Sequence, residues 1–266
     1  MSSPATQVPE SELLEVLDPE RFDVPTEDDL PFKDGRMRNF TESFQTELLT
    51  ECSRPVLAAL HADGNYLIGA DSAIYYRVLK PFDQSKNVAP DWFYIPGATQ
   101  TNARGRRRKS YLSWESGFFP MMAIGYSSNG GAEERDPTPD TGKFWIYEHH
   151  VRPAFYAIFV PTVAELEVYE LVHHAFVPVK PNEAGRYPIP PMRMELGVWH
   201  GTLERTEDDW IRWWSPDGVM LPSDLERAEE QQRRAEEQQR RADAAVSDNE
   251  RLRAMLREMG RDPDAG

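Results

Sequence analysis

The run Pro120-Met121-Met122-Ala123-Ile124-Gly125-Tyr126-Ser127-Ser128 leads through the polar loop Asn129-Gly130-Gly131-Ala132-Glu133-Glu134-Arg135-Asp136 to Thr141-Gly142-Lys143-Phe144-Trp145-Ile146-Tyr147-Glu148. Its first segment is a continuous apolar run of strand length, bounded by Pro and Ser, as expected for a buried strand. The last segment predicts a helix from about residue 141 to about residue 150, stopped by Pro153. Lys143 then lies one turn before Tyr147 on the same helix face. About thirty residues upstream, Pro90-Asp91-Trp92-Phe93-Tyr94-Ile95 places an acid directly before a second short apolar strand. An acid at a strand end suits a hard cation, whereas Asp after Pro is also a common turn former.

Further apolar, β-rich runs occupy residues 66–79, 92–95, 111–114, 121–126, 155–160, 166–172 and 175–179. Before most of them, Phe44, Leu48, Leu49, Cys52 and Val56 recur at helical spacing within residues 40–60. One helix, several strands, a second helix and more strands predict an α/β or α+β fold built on a mixed sheet.

The whole chain has 266 residues and a net charge of −15. Residues 1–50 contribute −8, residues 51–221 contribute −4 and residues 222–266 contribute −3. The first segment, punctuated by five prolines, reads as an acidic extended arm over residues 1–38. Residues 39–221 form the expected globular domain, and residues 222–266 a helical tail. In that tail Arg227-Ala-Glu-Glu-Gln-Gln-Arg233 recurs at once as Arg234-Ala-Glu-Glu-Gln-Gln-Arg240. The seven-residue repeat places Ala228, Ala235, Ala242, Asn249 and Leu256 at one seam position, with Gln231, Gln238, Ala245, Leu252 and Met259 at the other. A homodimer or helical partner through this coiled-coil-like seam and a single solvated helix are both open readings. No bilayer-length apolar run and no signal pattern occurs, and Cys52 is the single cysteine, so a cytoplasmic protein without membrane contact is expected.

Phosphate-loop, dinucleotide-fold, nucleophile-elbow and His-Glu-x-x-His motifs are missing. The adjacent histidines His149-His150 and His173-His174 do not form ready chelates. Arg104-Gly105-Arg106-Arg107-Arg108-Lys109 concentrates five bases in six positions. It suits either phosphate-backbone contact near the acid or a basic hairpin tip without a ligand. The cluster Trp210-Ile211-Arg212-Trp213-Trp214 suits base stacking or a core plug.

Taken together, Pro90-Asp91-Trp92-Phe93-Tyr94-Ile95-Pro96, the run from Glu133 to Glu148, Arg152-Pro153-Ala154-Phe155-Tyr156 and Gly185-Arg186-Tyr187-Pro188-Ile189-Pro190-Pro191 resemble the Uma-two family of restriction-endonuclease-like proteins, in the PD-(D/E)XK nuclease superfamily. The resemblance spans about residues 40–215, and the closing Leu256-Arg257-Glu258-Met259-Gly260-Arg261-Asp262-Pro263 also resembles the family's end. It implies a restriction-endonuclease-like mixed central sheet flanked by helices, and DNA phosphodiester hydrolysis with Mg²⁺ or Mn²⁺ at one sheet end. Asp91 matches the first metal acid, Lys143 the lysine that assists water, and Tyr147 follows one turn later as a third catalytic candidate. Where the family carries a second-strand Glu, this chain has Gly125. Glu133, Glu134, Asp136 and Asp140 follow; Glu134 and Asp136 are the candidate substitute acids, against a reading of solvated loop acids and helix caps. Arg106, Arg107, Arg108 and Lys109 are the candidate DNA contacts. The resulting expectation is a metal-dependent endonuclease, inactive if no acid replaces the missing Glu. The alternative is a nuclease-fold binding or scaffold protein that associates through its tail.

Overall fold

The computed structural model describes residues 40–77, 79, 85–102, 105–113, 117–127 and 130–259, apart from the side chains of residues 40 and 256. The expected arm, residues 1–38, and the end of the tail lie outside the described residues. Chain order is α1 (Phe40–Leu60), β1 (Tyr66–Gly69), β2 (Ile74–Arg77), β3 (Lys86–Val88), β4 (Trp92–Pro96), β5 (Tyr111–Leu112), β6 (Met122–Tyr126), α2 (Lys143–Ile146), β7 (Phe155–Val160), β8 (Glu165–Val172), β9 (Ala175–Pro178), β10 (Tyr187–Ile189), β11 (Met194–Leu203), β12 (Thr206–Trp214) and α3 (Asp224–Glu258).

The central sheet has the order β1-β4-β6-β7-β8-β9. Within it β6 and β7 run parallel, and every other neighbouring pair is antiparallel. The architecture is a mixed α+β fold with a C-terminal helix. Parallel neighbours require a crossover; here residues 127–154, α2 among them, supply it. That requirement carries the acidic loop and Lys143 across one face of the sheet.

Strand alternation divides the core in two. Trp92, Tyr94, Met122, Ile124, Phe155, Ala157 and Phe159 face α1 and the β10-β11-β12 hairpin sheet. Phe93, Ile95, Ala123, Tyr156, Ile158 and Val160 face α2 and the turn that extends it. Both sheet faces are covered, which explains the uninterrupted apolar character of β4, β6 and β7.

The α1 helix matches the expected span. The expected helix over residues 141–150 is instead four α-helical residues followed by a π-helical turn, Tyr147–Val151. Arg152, at φ 53°, ends that turn with its N–H on the Tyr147 carbonyl at 2.7 Å. The apolar run 66–79 breaks at Asp71, so β1 joins the central sheet and β2 a separate sheet, β3-β2-β5. The long β11–β12 hairpin was hidden because its outer half is polar and its turn, Glu204-Arg205 with positive φ at both residues, lacks the usual Gly or Asn. Trp210, Trp213 and Trp214 are buried in this hairpin, so the Trp cluster plugs the core and presents no stacking platform.

Among the described residues, no helix is long and apolar enough to cross a membrane. α3 would span about 52 Å at 1.5 Å per residue. Its described side chains are exposed from Gln231 onward, the repeat being supported by Glu-to-Arg pairs such as Glu237–Arg241. Its first turn is tied to the domain. A capping box joins Ser223 and Glu226, and Arg212, 1% exposed, donates to both Glu226 oxygens at 2.9 and 2.6 Å and to the Leu221 carbonyl. The Arg212 guanidinium also lies 4.8 Å from the Trp199 ring centre.

Truncating Glu226 leaves Arg212 as a buried charge without its carboxylate, a change that costs about 3–5 kcal/mol. Glu226→Ala is therefore expected to lower chemical-denaturation stability by about that amount. Glu236→Ala, which removes an exposed tail pair, is expected to cost less than about 0.5 kcal/mol. Equal effects of the two substitutions would contradict the anchoring role.

Candidate functional site

Asp91 stands two residues before Phe93, which places it on the α2 face of the sheet. Its backbone N–H continues the ladder to the Ile124 carbonyl at 3.0 Å, and Oδ2 accepts the Tyr126 N–H at 2.6 Å. The Asp91 carboxylate is thereby fastened to the outgoing end of β6. Gly125 lies on this same face, opposite Ile158 of β7.

The space that a side chain at position 125 would occupy is filled from elsewhere in the chain. A Cβ placed on Gly125 would fall 2.6 Å from Oε2 and 2.8 Å from Cδ of Glu134. Glu134 is 4% exposed, although it comes from a polar loop. Lys143 donates to its Oε1 at 2.7 Å, and the Tyr156 hydroxyl donates to its Oε2. Lys143 also lies 2.9 Å from Glu133, whose side chain is half exposed. A buried carboxylate requires such compensation, because an unpaired charge in this setting is strongly disfavoured.

Burial pushes the Asp91 carboxyl up to about 7; the negative charges of Glu134 and Glu42 add to the rise, while the Tyr126 N–H and Lys143 oppose it. Burial alone would lower the Lys143 pKa, but Glu134 and Glu133 overcome it and hold the ammonium above the usual lysine value. Lys143 is consequently a fixed cation and a poor proton acceptor near neutrality. Tyr147 is 2% exposed, its ring is stacked on Tyr156 with centres 4.3 Å apart, and burial raises its hydroxyl well above the ordinary tyrosine value. Tyr147 thus packs on Tyr156 beside the acids of the cluster.

The other sequence candidates lie apart from this cluster. Asp136 accepts from the Thr138 N–H at 2.9 Å and from its hydroxyl, and its carbonyl accepts the Phe144 N–H. It shapes the loop. The described part of the basic run lies on a hairpin arm, with Thr101 bridged to Arg107 and Asn102 N–H on the Arg106 carbonyl. Arg106, Arg107 and Lys109 are exposed, while Arg108 bonds the Thr99 carbonyl and lies over Tyr111. This hairpin follows the outgoing end of β4, whereas Asp91 precedes its incoming end.

His149 and His150 lie on the π-helical turn and stack on Trp145 and Tyr76, and His173 and His174 occupy a turn. Among the described residues, no group of three or more His, Cys, Asp or Glu gathers to hold a metal ion. Two carboxylates, however, suffice for Mg²⁺, which keeps several waters and is commonly held by one or two carboxylates with substrate phosphates. Asp91 Oδ1 has no hydrogen bond among the described residues. The carboxylate oxygens of Asp91 and Glu134 are donors of the class that such a cation takes. Tyr156 stood in the motif run Arg152–Tyr156 but received no role from the sequence, because it sits inside an apolar strand.

No protein-family profile matches the chain, and no curated protein matches it. Among solved structures, a chain described as a "putative nuclease belonging to DUF820" from Anabaena variabilis overlaps it with a TM-score of 0.39 and 13% identity, covering 59% of this chain and 75% of that one. At that TM-score the overlap assigns neither a reaction nor a residue. The Uma-two resemblance rests on the motif residues alone.

The raised Asp91 carboxyl has a defined effect on metal-free stability. Its folded value of about 7 exceeds the unfolded value near 3.8, so the folded chain retains a proton that the unfolded chain releases. This contribution is present in full below the unfolded value and is lost progressively as pH rises from about 4 through about 7. Asp91→Asn removes the effect. Chemical denaturation of metal-free protein at pH 5 and pH 8 should show the wild type losing stability relative to Asp91→Asn; parallel behaviour would contradict the burial of this carboxyl.

Proposed function

We propose that this chain is a metal-dependent DNA endonuclease in which Glu134, delivered by the loop after β6, supplies the second carboxylate that Gly125 lacks. The observation that carries the reading is the Glu134 carboxylate lying where a residue-125 side chain would stand, paired with Lys143. The motif resemblance supplies the reaction class. Asp91 and Glu134 would hold Mg²⁺ or Mn²⁺. Such an ion, when bound, neutralises phosphate charge and lowers the pKa of water.

The protein's own groups have separate tasks. Asp91 is aimed by the Tyr126 N–H, and Glu134 by the Tyr156 hydroxyl. Lys143, 36% exposed at its side chain, presents a positive charge at the solvent side of the cluster. There it positions a water and offsets charge developing on a phosphoryl oxygen. In the metal-free protein Glu134 and Glu133 hold Lys143 protonated, which suits a positioning charge. Exposed Arg106, Arg107 and Lys109 would meet backbone phosphates.

The tail supports a distinct part of the reading. Val246, Leu252, Met255 and Met259 are between 49% and 66% exposed on α3, and the heptad register brings Leu252 and Met259 to one seam. A second copy of this helix would cover them.

Two measurements test these assignments. Supercoiled plasmid should be nicked by wild type with Mg²⁺ or Mn²⁺, about 100-fold more slowly by Asp91→Ala, Glu134→Gln and Lys143→Ala. Nicking by Asp91→Ala or Glu134→Gln at the wild-type rate refutes the site, and an inert but folded wild type supports the non-catalytic alternative. In sedimentation equilibrium, the wild type should have twice the mass of the Leu252→Lys/Met259→Lys variant. Equal masses refute self-association through the tail.

A further inference from the structure

The loop that carries Glu134 is held by a clamp lying beyond the proposed ligands. Arg135, the next residue, turns away from the site and reaches β8, where Nε donates to Glu167 at 2.9 Å and Nη2 to Glu165 at 2.9 Å. Its Nη1 donates back to the Gly130 carbonyl at 2.6 Å, so the same guanidinium ties β8 to the start of its own turn. The Arg135 N–H bonds the Gly131 carbonyl at 3.0 Å, and Ser127 Oγ accepts the Gly131 N–H at 2.9 Å. The guanidinium lies directly over Gly131: a Cβ there would fall 2.0 Å from Nη1, and Gly131 itself has φ +81°. The positive φ favours glycine at this point, and a side chain there would displace the guanidinium.

Glu165 and Glu167 are two residues apart on β8 and share a sheet face. The Tyr169 hydroxyl donates to the same Glu167 oxygen, fixing that carboxylate for Arg135. β8 lies two strands from β6 in the sheet order, with β7 between them. The clamp thus draws the turn across β7, and Glu134 reaches Tyr156 of β7 and the gap at Gly125 of β6.

A carboxylate on a strand needs no such device, because the backbone ladder fixes its Cβ. A carboxylate on a loop leaves the site whenever its turn opens. A solvated Glu134 also avoids the desolvation that the buried position imposes. We propose that Arg135 is the positioning residue of the site, holding Glu134 in the space above Gly125 through its clamp on Glu165 and Glu167. The proposal rests on the two-carboxylate reading given above for its metal-binding consequence, but its structural content is independent of any ion.

Mn²⁺ titration followed by electron paramagnetic resonance, paired with hydrogen exchange of the metal-free protein, tests it. Arg135→Ala should weaken Mn²⁺ at least about tenfold, in the range typical of lost outer-shell support. It should also expose the Arg135 and Asp136 amides to exchange while β4, β6 and β7 stay protected. Adding Gly125→Glu to Arg135→Ala should restore affinity to within about threefold of wild type, because a strand carboxylate needs no clamp. A purely structural role for Arg135 predicts no such rescue. If Arg135→Ala fails to fold, Glu165→Gln/Glu167→Gln opens the clamp from the other side and carries the same expectations. Wild-type affinity with an intact turn, or a loss that Gly125→Glu does not repair, overturns the proposal. Failure of wild type to bind Mn²⁺ refutes the two-carboxylate reading, and turn exchange then decides the clamp by itself.

Discussion

The ion pair between buried Glu134 and Lys143, closed by the Tyr156 hydroxyl, is the constraint around which this site is organised. A carboxylate with 4% exposure is tolerated only if its charge is met and its lone pairs are satisfied. Each requirement falls on a different element. Lys143 must open α2, Tyr156 must sit on β7 facing that helix, and residue 125 of β6 must have no side chain. The parallel pairing of β6 with β7 satisfies the arrangement, since its crossover carries loop and helix over the same sheet face. Gly125 and Glu134 are thus a coupled pair, in which the absence of one side chain makes room for the other.

The two carboxylates are electrostatically unequal. Glu134 has a dedicated cation, whereas Asp91 has a backbone N–H and lies in the field of other acids, so burial pushes it up to about 7. A divalent ion would have to displace that proton, and its affinity should therefore rise with pH through neutrality. Lys143 is held charged by the same acids it neutralises. In the proposed reaction the cluster would orient water and offset negative charge, with Lys143 as a positioned cation.

The parts legible in the sequence were those fixed by short-range patterning. Continuous apolar runs gave β4, β6 and β7, helical spacing gave α1, and an acid before a strand marked Asp91. The β11–β12 hairpin was not legible because its outer half is polar and its turn uses Glu204 and Arg205 at positive φ. Residues 133–148 contained Glu134 and Lys143, but periodicity cannot say whether a loop acid points outward or inward. That direction is set by Tyr156, Gly125 and the Arg135 clamp, all distant in sequence or silent in pattern.

The central claim is that Asp91 and Glu134 act together on one ion. Anomalous diffraction from crystals soaked in Mn²⁺ tests it most directly. The account predicts one peak within about 2.0–2.6 Å of an oxygen from each carboxylate, with Lys143 still beside the cluster. An ion bound to Asp91 while Glu134 remains on Lys143 and Tyr156 alone, or no peak at the site, would contradict it.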